Sequence, residues 1–265
     1  MGLLEGKRGI IMGIANDRSI ASSIAKVLHS EGAKLGFSYL PDTGERERNK
    51  QRLLQVTDGL DPQVVCPCDV TKDDDIKAFF QDVKEKMGTI DFLIHSIAFA
   101  PTADLKLNTI ECSREGFANA MDVSVYSFLA TSRAAADLMV DGGSICAMTY
   151  YGGEKVMPGY NLMGLCKSAL DTSVKYAAYE LGSRNIRVNA ISAGPIKTLA
   201  ASAVGDFKSM LGMYESVSPL GRNVDGGDVG HGTTFLVSDL SRMITGEIMH
   251  IDAGFNIMGG TVLKS

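Results

Sequence analysis

The sequence predicts an α/β domain in which about seven parallel strands form a doubly wound sheet with helices on both faces. Two observations carry this reading. Short apolar runs alternate with segments whose apolar residues recur at helical spacing, and the breaks between them are short. No linker, repeat or low-complexity tract divides the 265 residues, and a 45% hydrophobic content suffices for one sizeable core. Residues 1–265 therefore read as a single domain.

Along the chain, the apolar runs predict strands at Arg8–Met12, Lys34–Tyr39, Gln63–Cys66, Phe92–His95, Ser144–Met148, Ile186–Ile191 and Glu247–Ile251. Behind the first run, Ile20, Ile24, Val27 and Leu28 share one helical face. Behind the third, Ile76, Phe79, Phe80, Val83 and Met87 do the same, and Thr71 with Asp74 has the form of a capping box opening that helix. Longer helical patterns cover Arg114–Val140 and Gly159–Gly182 and are rich in alanine.

A formal charge of −5 argues against a nucleic-acid or anionic-membrane partner. No apolar stretch approaches a membrane span, and MGLLEGKRG lacks a signal-peptide pattern. The five cysteines are odd in number and lie mostly in apolar segments, so a reducing, cytoplasmic setting is expected. Cys66 and Cys68 read as strand residues, since no second Cys/His cluster accompanies them to make a metal site.

Sheets of this kind bind ligands at the carboxyl ends of their strands. The first strand runs into Gly13, which permits a tight turn, and then into a helix start at Ser19 whose N–H groups suit a pyrophosphate; Ser19 reads equally as an N-cap. The second strand ends at Leu40, where a dinucleotide fold often places a ribose-binding acid, and Arg46 and Arg48 follow. NADH and NADPH are thus not separated. Asp69, after the third strand, suits an adenine amino group or simply starts the next helix. His95 reads as a packed strand histidine. Tyr160 and Lys167 have six residues between them, which on a helix places them about 20° apart on one face, roughly 10 Å along the axis. An ammonium there favours the ionisable, proton-donating form of the phenol and can hold sugar hydroxyls.

The segments GIANDRSIA (13–21), CDV (68–70), HSIAFAP (95–101), YYGGEKVMPGYNLMGLCK (150–167), RVNAISAGPIKTLAAS (187–202) and ITGEIMHIDAG (244–254) resemble the short-chain dehydrogenase/reductases. Within that group they resemble the bacterial enoyl-acyl-carrier-protein reductases of fatty-acid synthesis. The resemblance implies a Rossmann-type fold and hydride transfer from NADH, NADPH not being excluded, to a trans-2-enoyl thioester on acyl carrier protein. It implies Tyr150, Tyr160 and Lys167 as catalytic residues, Tyr160 facing the thioester oxygen and Lys167 the nicotinamide ribose. It implies cofactor contacts from Gly13, Ser19, Ile20 and Leu40, from Asp69, Val70 and Ile97, and from Lys167 with Ile196, Lys197, Thr198, Leu199 and Ala200. Ala100 would touch the thioester. A greasy lid near 197–215 and a homotetramer are further expectations.

Alcohol-oxidising members of the superfamily carry a serine thirteen positions before the active tyrosine, and here that position is Ala147. The missing hydroxyl argues for conjugate reduction over the nearest alternative, a ketoacyl or other ketone reductase. A non-catalytic nucleotide-binding scaffold has no chemical reason to keep the tyrosine–lysine pair.

Overall fold

The computed structural model describes residues 2–44, 47–198 and 207–260. Its seven strands are β1 (Arg8–Met12), β2 (Lys34–Tyr39), β3 (Val64–Pro67), β4 (Phe92–His95), β5 (Gly143–Thr149), β6 (Ile186–Ala193) and β7 (Ile248–Ile251). All pair in parallel, in the order β3-β2-β1-β4-β5-β6-β7. The chain builds outward from β1 to one edge and then crosses back to place β4 on the other side of β1. Loops leaving β1 and β4 diverge at this switch point and leave a crevice at the strand ends.

The strands' near-continuous apolar character follows from burial on both faces. Ile10 and Leu93 point into one core with helices α3 (Asp73–Met87), α6 (Ser127–Ala136) and α7 (Asn161–Leu181). Their neighbours Ile11 and Ile94 point into the other, with α1 (Ile20–Ser30) and α9 (Gly226–Val237). This period of two splits each strand between the layers. The remaining helices are α2 (Arg48–Val56), α4 (Thr102–Leu105), α5 (Arg114–Met121) and α8 (Phe207–Val217).

Four of the seven predicted strands differ slightly from those observed. β3 begins one residue later than its apolar run and ends on Pro67, and β7 begins at Ile248. β5 and β6 extend further, because the ladder pairs Gly143 with Ile186 and Thr149 with Ser192 whatever the polarity of those residues. The capping box at Thr71 and Asp74 does not form. Lys72 precedes α3, and the Thr71 hydroxyl instead donates to Asp69 Oδ1 at 2.7 Å. Asp73, Asp74 and Asp75 in the first turn and Lys84 and Lys86 in the last complement the helix dipole without it.

The pattern predicted as one helix over Arg114–Val140 is divided. Between α5 and α6 the chain makes a π-helical turn at Asp122–Tyr126, one residue wider than an α-turn, and the helix ends at Ala136. Apolar periodicity alone does not register a single added residue.

Phe79 on α3 is 1% exposed and packs edge-on to Phe80, 5.2 Å between ring centres. Phe79→Ala is expected to lower the unfolding free energy by about 3 to 5 kcal/mol, read as a shift of the urea midpoint at constant slope.

Candidate active site

The carboxyl ends of β1, β4, β5 and β6 open onto a cleft of about 430 Å³. At its β1 end Gly13 adopts φ +104°, and a Cβ there would lie 2.1 Å from the Ser96 carbonyl oxygen, so β1 and β4 approach as closely as only glycine allows. Ser19 precedes α1 but does not cap it; its hydroxyl turns back to the Asn16 carbonyl at 2.7 Å. The first turn of α1 holds no acidic residue, and Ser19 and Ile20 at its start line the cleft. This glycine-backed helix start fits a pyrophosphate.

The opposite wall holds the tyrosines and the lysine. Tyr160 stands at the cap of α7 rather than within it, because Asn161 takes φ +41° and its amide donates to the Leu105 and Leu107 carbonyls at 3.1 and 2.7 Å. The regular two-turn helical relation to Lys167 is therefore broken, yet both side chains line the same cleft. Lys167 is buried and donates from Nζ to the Met148 carbonyl at 2.8 Å, which ties α7 to the end of β5. Burial pulls its ammonium down to about 8, with Asp171 and Cys166 opposing. Asp171, one turn further along α7, is pushed up to about 6 by burial, against Thr149 and Lys167.

The Tyr150 and Tyr160 rings meet edge to face, 4.6 Å between centres and 63° between planes. Burial raises both phenols. The expectation that the lysine renders Tyr160 more ionisable is thus reversed by desolvation, and Tyr160 remains a proton-bearing donor at neutral pH. His95, fully buried against Ser127 Oγ at 2.8 Å and held down to about 3 by burial and then by Lys167, is a neutral packed histidine.

Ile97 and Ala100 from the loop after β4, and Ile196 and Thr198 after β6, also line the cleft. Ser124 fixes that first loop from the π-helical turn, its hydroxyl bonding both the N–H and the carbonyl of Phe99 at 3.0 Å. Lys197 lies between two lining residues. Leu40, Asp69 and Val70 lie outside the main cleft. Leu40 is 60% exposed, with its carbonyl accepting from Asn49 at 3.0 Å, and Val70 is buried in the core. The Asp69 carboxylate accepts from Thr71 and pairs with Lys72 at 3.2 Å. Arg46, Leu199 and Ala200 lie outside the described residues.

Ala147 proves to be a sheet residue, paired with His95 and Ala190 and fully buried. Thr149, two residues on, ends the strand and lines the cleft, but its hydroxyl is buried beside Asp171, so the absence of a serine hydroxyl at position 147 stands. Sequence reasoning set Thr149 aside, and it included Met210 and Tyr214 on α8 only as part of the lid segment 197–215, with no role of their own. Met210 lines the cleft, and Tyr214 packs behind Tyr150. Nothing in the local pattern marks them, since they reach the site from the far side of the cleft.

A sheet of this order, with a tyrosine and a buried lysine at the head of the helix after β5, defines a short-chain dehydrogenase/reductase. The family model for enoyl-(acyl carrier protein) reductase matches residues 13–256. The enoyl-acyl-carrier-protein reductase (NADH) FabI of Rickettsia felis is 48% identical over 262 residues, 99% of either chain. The Bacillus cereus enoyl-acyl carrier protein reductase, solved with NADP+ and an indole naphthyridinone, superposes with a TM-score of 0.94 at 46% identity, covering 98% of this chain and all of that one. The reductase of Anaplasma phagocytophilum, solved with NAD, gives 0.93 at 42% identity over 99% of this chain and 98% of that one. The chain belongs to the enoyl-acyl-carrier-protein reductase family.

Asp171 supplies a pH test of the buried wall. Its pKa is higher folded than its ordinary 3.8, so its contribution to stability is full below that value and is lost as pH rises through about 6. Wild-type stability is expected to fall relative to Asp171→Asn across that interval and to run parallel above it, as checked by chemical denaturation at stepped pH.

Proposed function

We propose that this chain reduces the trans-2 double bond of enoyl thioesters carried on acyl carrier protein, with NADH as reductant. The observation that carries the reading is the meeting of two proton-bearing phenols, Tyr150 and Tyr160, over a cleft that also holds the buried Lys167. When bound, NADH supplies the hydride. Gly13, Ser19 and Ile20 would receive its pyrophosphate, and Ile97, Ile196 and Thr198 would flank the nicotinamide end, with Lys197, Leu199 and Ala200 continuing that segment. Lys167, already oriented by the Met148 carbonyl, would present its remaining hydrogens to the ribose hydroxyls.

Negative charge gathers on the thioester oxygen as the double bond is reduced. Tyr160 would donate to that oxygen, and its raised pKa keeps the hydrogen available at neutral pH. Tyr150 would share the donor role from the same wall. Ala100 would contact the thioester from the loop that Ser124 fixes. The Val70 backbone and Asp69 are assigned to the adenine end; there the carboxylate must serve its local turn as well. Leu40 offers no carboxylate to repel a 2′-phosphate, which leaves NADPH admissible.

The segment 197–215 is read as a lid over the acyl chain, with Met210 as its contact to the cleft within α8. Exposed apolar residues on and near the long helices, among them Tyr176, Tyr179 and Ile257, support assembly as a homotetramer. No described helix is long and apolar enough to cross a membrane, and a cytoplasmic location fits the proposed chemistry. A ketone reductase of the same fold is the alternative reading, opposed by Ala147.

Loss of reduced-nicotinamide absorbance with crotonyl or longer enoyl thioesters, against ketoacyl thioesters, separates the two readings. Turnover of the keto substrate alone overturns the first. Tyr160→Phe is expected to lower kcat by about 10²-fold with little change in NADH binding. Lys167→Ala is expected to weaken NADH binding, measured by fluorescence titration, and unchanged affinity rejects its ribose contact. Parallel titration with NADPH reads the effect of Leu40.

A further inference from the structure

Tyr150 does not orient its hydroxyl unaided. Helix α8 carries Tyr214, 2% exposed, behind it, and Tyr214 Oη donates to Tyr150 Oη at 3.1 Å. The ring of Tyr214 is itself fixed from the far side, stacked on Phe255 with 3.7 Å between centres and 14° between planes. Phe255 sits in a turn held by the Asp252 carboxylate, which accepts from the Gly254 and Asn256 N–H groups at 2.9 and 2.8 Å. The hydrogen of Tyr150 faces the Met210 thioether at 3.6 Å, a weak acceptor on the cleft wall.

A phenol that accepts a hydrogen bond becomes a stronger donor, because the bond withdraws charge from the shared oxygen. A donor occupied only by a thioether gives it up readily for a carbonyl or enolate oxygen. We propose that Tyr214 is a positioning residue for the reduction: its hydrogen bond sets the rotation of the Tyr150 hydroxyl and strengthens its donation into the cleft. This inference rests on the reading of Tyr150 as a donor to the thioester oxygen. It makes the seating of α8, anchored through Phe255, a condition of full activity.

The burial of Tyr214 agrees with the direction of the bond. Desolvation raises the Tyr150 phenol while the Tyr214 hydrogen bond opposes that rise, and Tyr214 itself is raised strongly, the behaviour of a proton that stays on its donor.

Tyr214→Phe keeps the ring stack and removes only the hydroxyl. In the full-length enzyme, kcat for crotonyl thioester is expected to fall about fivefold. The KM for NADH and the thermal midpoint should stay at wild-type values, and Tyr214→Leu should lose thermal stability as well. In the double variant with Tyr150→Phe, Tyr214→Phe should cost nothing further, since its target oxygen is gone. Impaired Tyr150→Phe beside wild-type kcat in Tyr214→Phe overturns the proposal, as do multiplicative effects in the double variant. Wild-type kcat in Tyr150→Phe overturns the reading of Tyr150 and this inference with it.

Discussion

The hydrogen bond from Lys167 Nζ to the Met148 carbonyl is the interaction on which the active-site wall depends. A buried ammonium needs partners, and the end of a parallel strand supplies a carbonyl that no ladder neighbour uses. By meeting there, α7 and β5 fix the distance between the helix that follows Tyr160 and the strand that leads to Tyr150. The two phenols then come together although ten positions separate them. The same desolvation that lowers the lysine raises both tyrosines, so burial leaves an ammonium that gives up its proton more readily and two phenols that hold theirs.

The fold was legible because burial on both faces of a parallel sheet leaves unbroken apolar runs, which mark strand positions directly. Boundaries were less so: β6 continues through Ser192 and Ala193 because its neighbour is there to pair with them. Membership of the cleft was legible at strand ends, as at Gly13, Ile97 and Tyr150. It was not legible where a residue's role depends on what lies opposite. Tyr160 left the helix because Asn161 found two carbonyls in another loop. Ala147 was selected by counting, and only the structure shows that β5 runs two residues further, to Thr149. Tyr214 reaches Tyr150 from 64 positions away, a separation that no local pattern encodes.

The strand ends beyond the cleft, at β2 and β3, are organised differently. Asp69 and Asp42 each lie just past a strand and each spends its carboxylate on backbone N–H groups nearby, Thr71 for the one and Asn49 with Lys50 for the other. Leu40, between strand and loop, carries no charge at all. These strand ends are shaped by turns, whereas the cleft wall is shaped by buried donors.

The π-helical turn at Asp122–Tyr126 shows how such a floor is kept in place. Its extra residue shifts the phase of the helix by about 100°, so Ser124 grips the loop carrying Ala100 while Ser127, a few residues on, meets His95 at the end of β4. This loop on the cleft wall is thus registered to a helix and not only to its own strand. A change of length within the five-residue turn would rotate Ser124 and Ser127 relative to each other and uncouple the loop from β4.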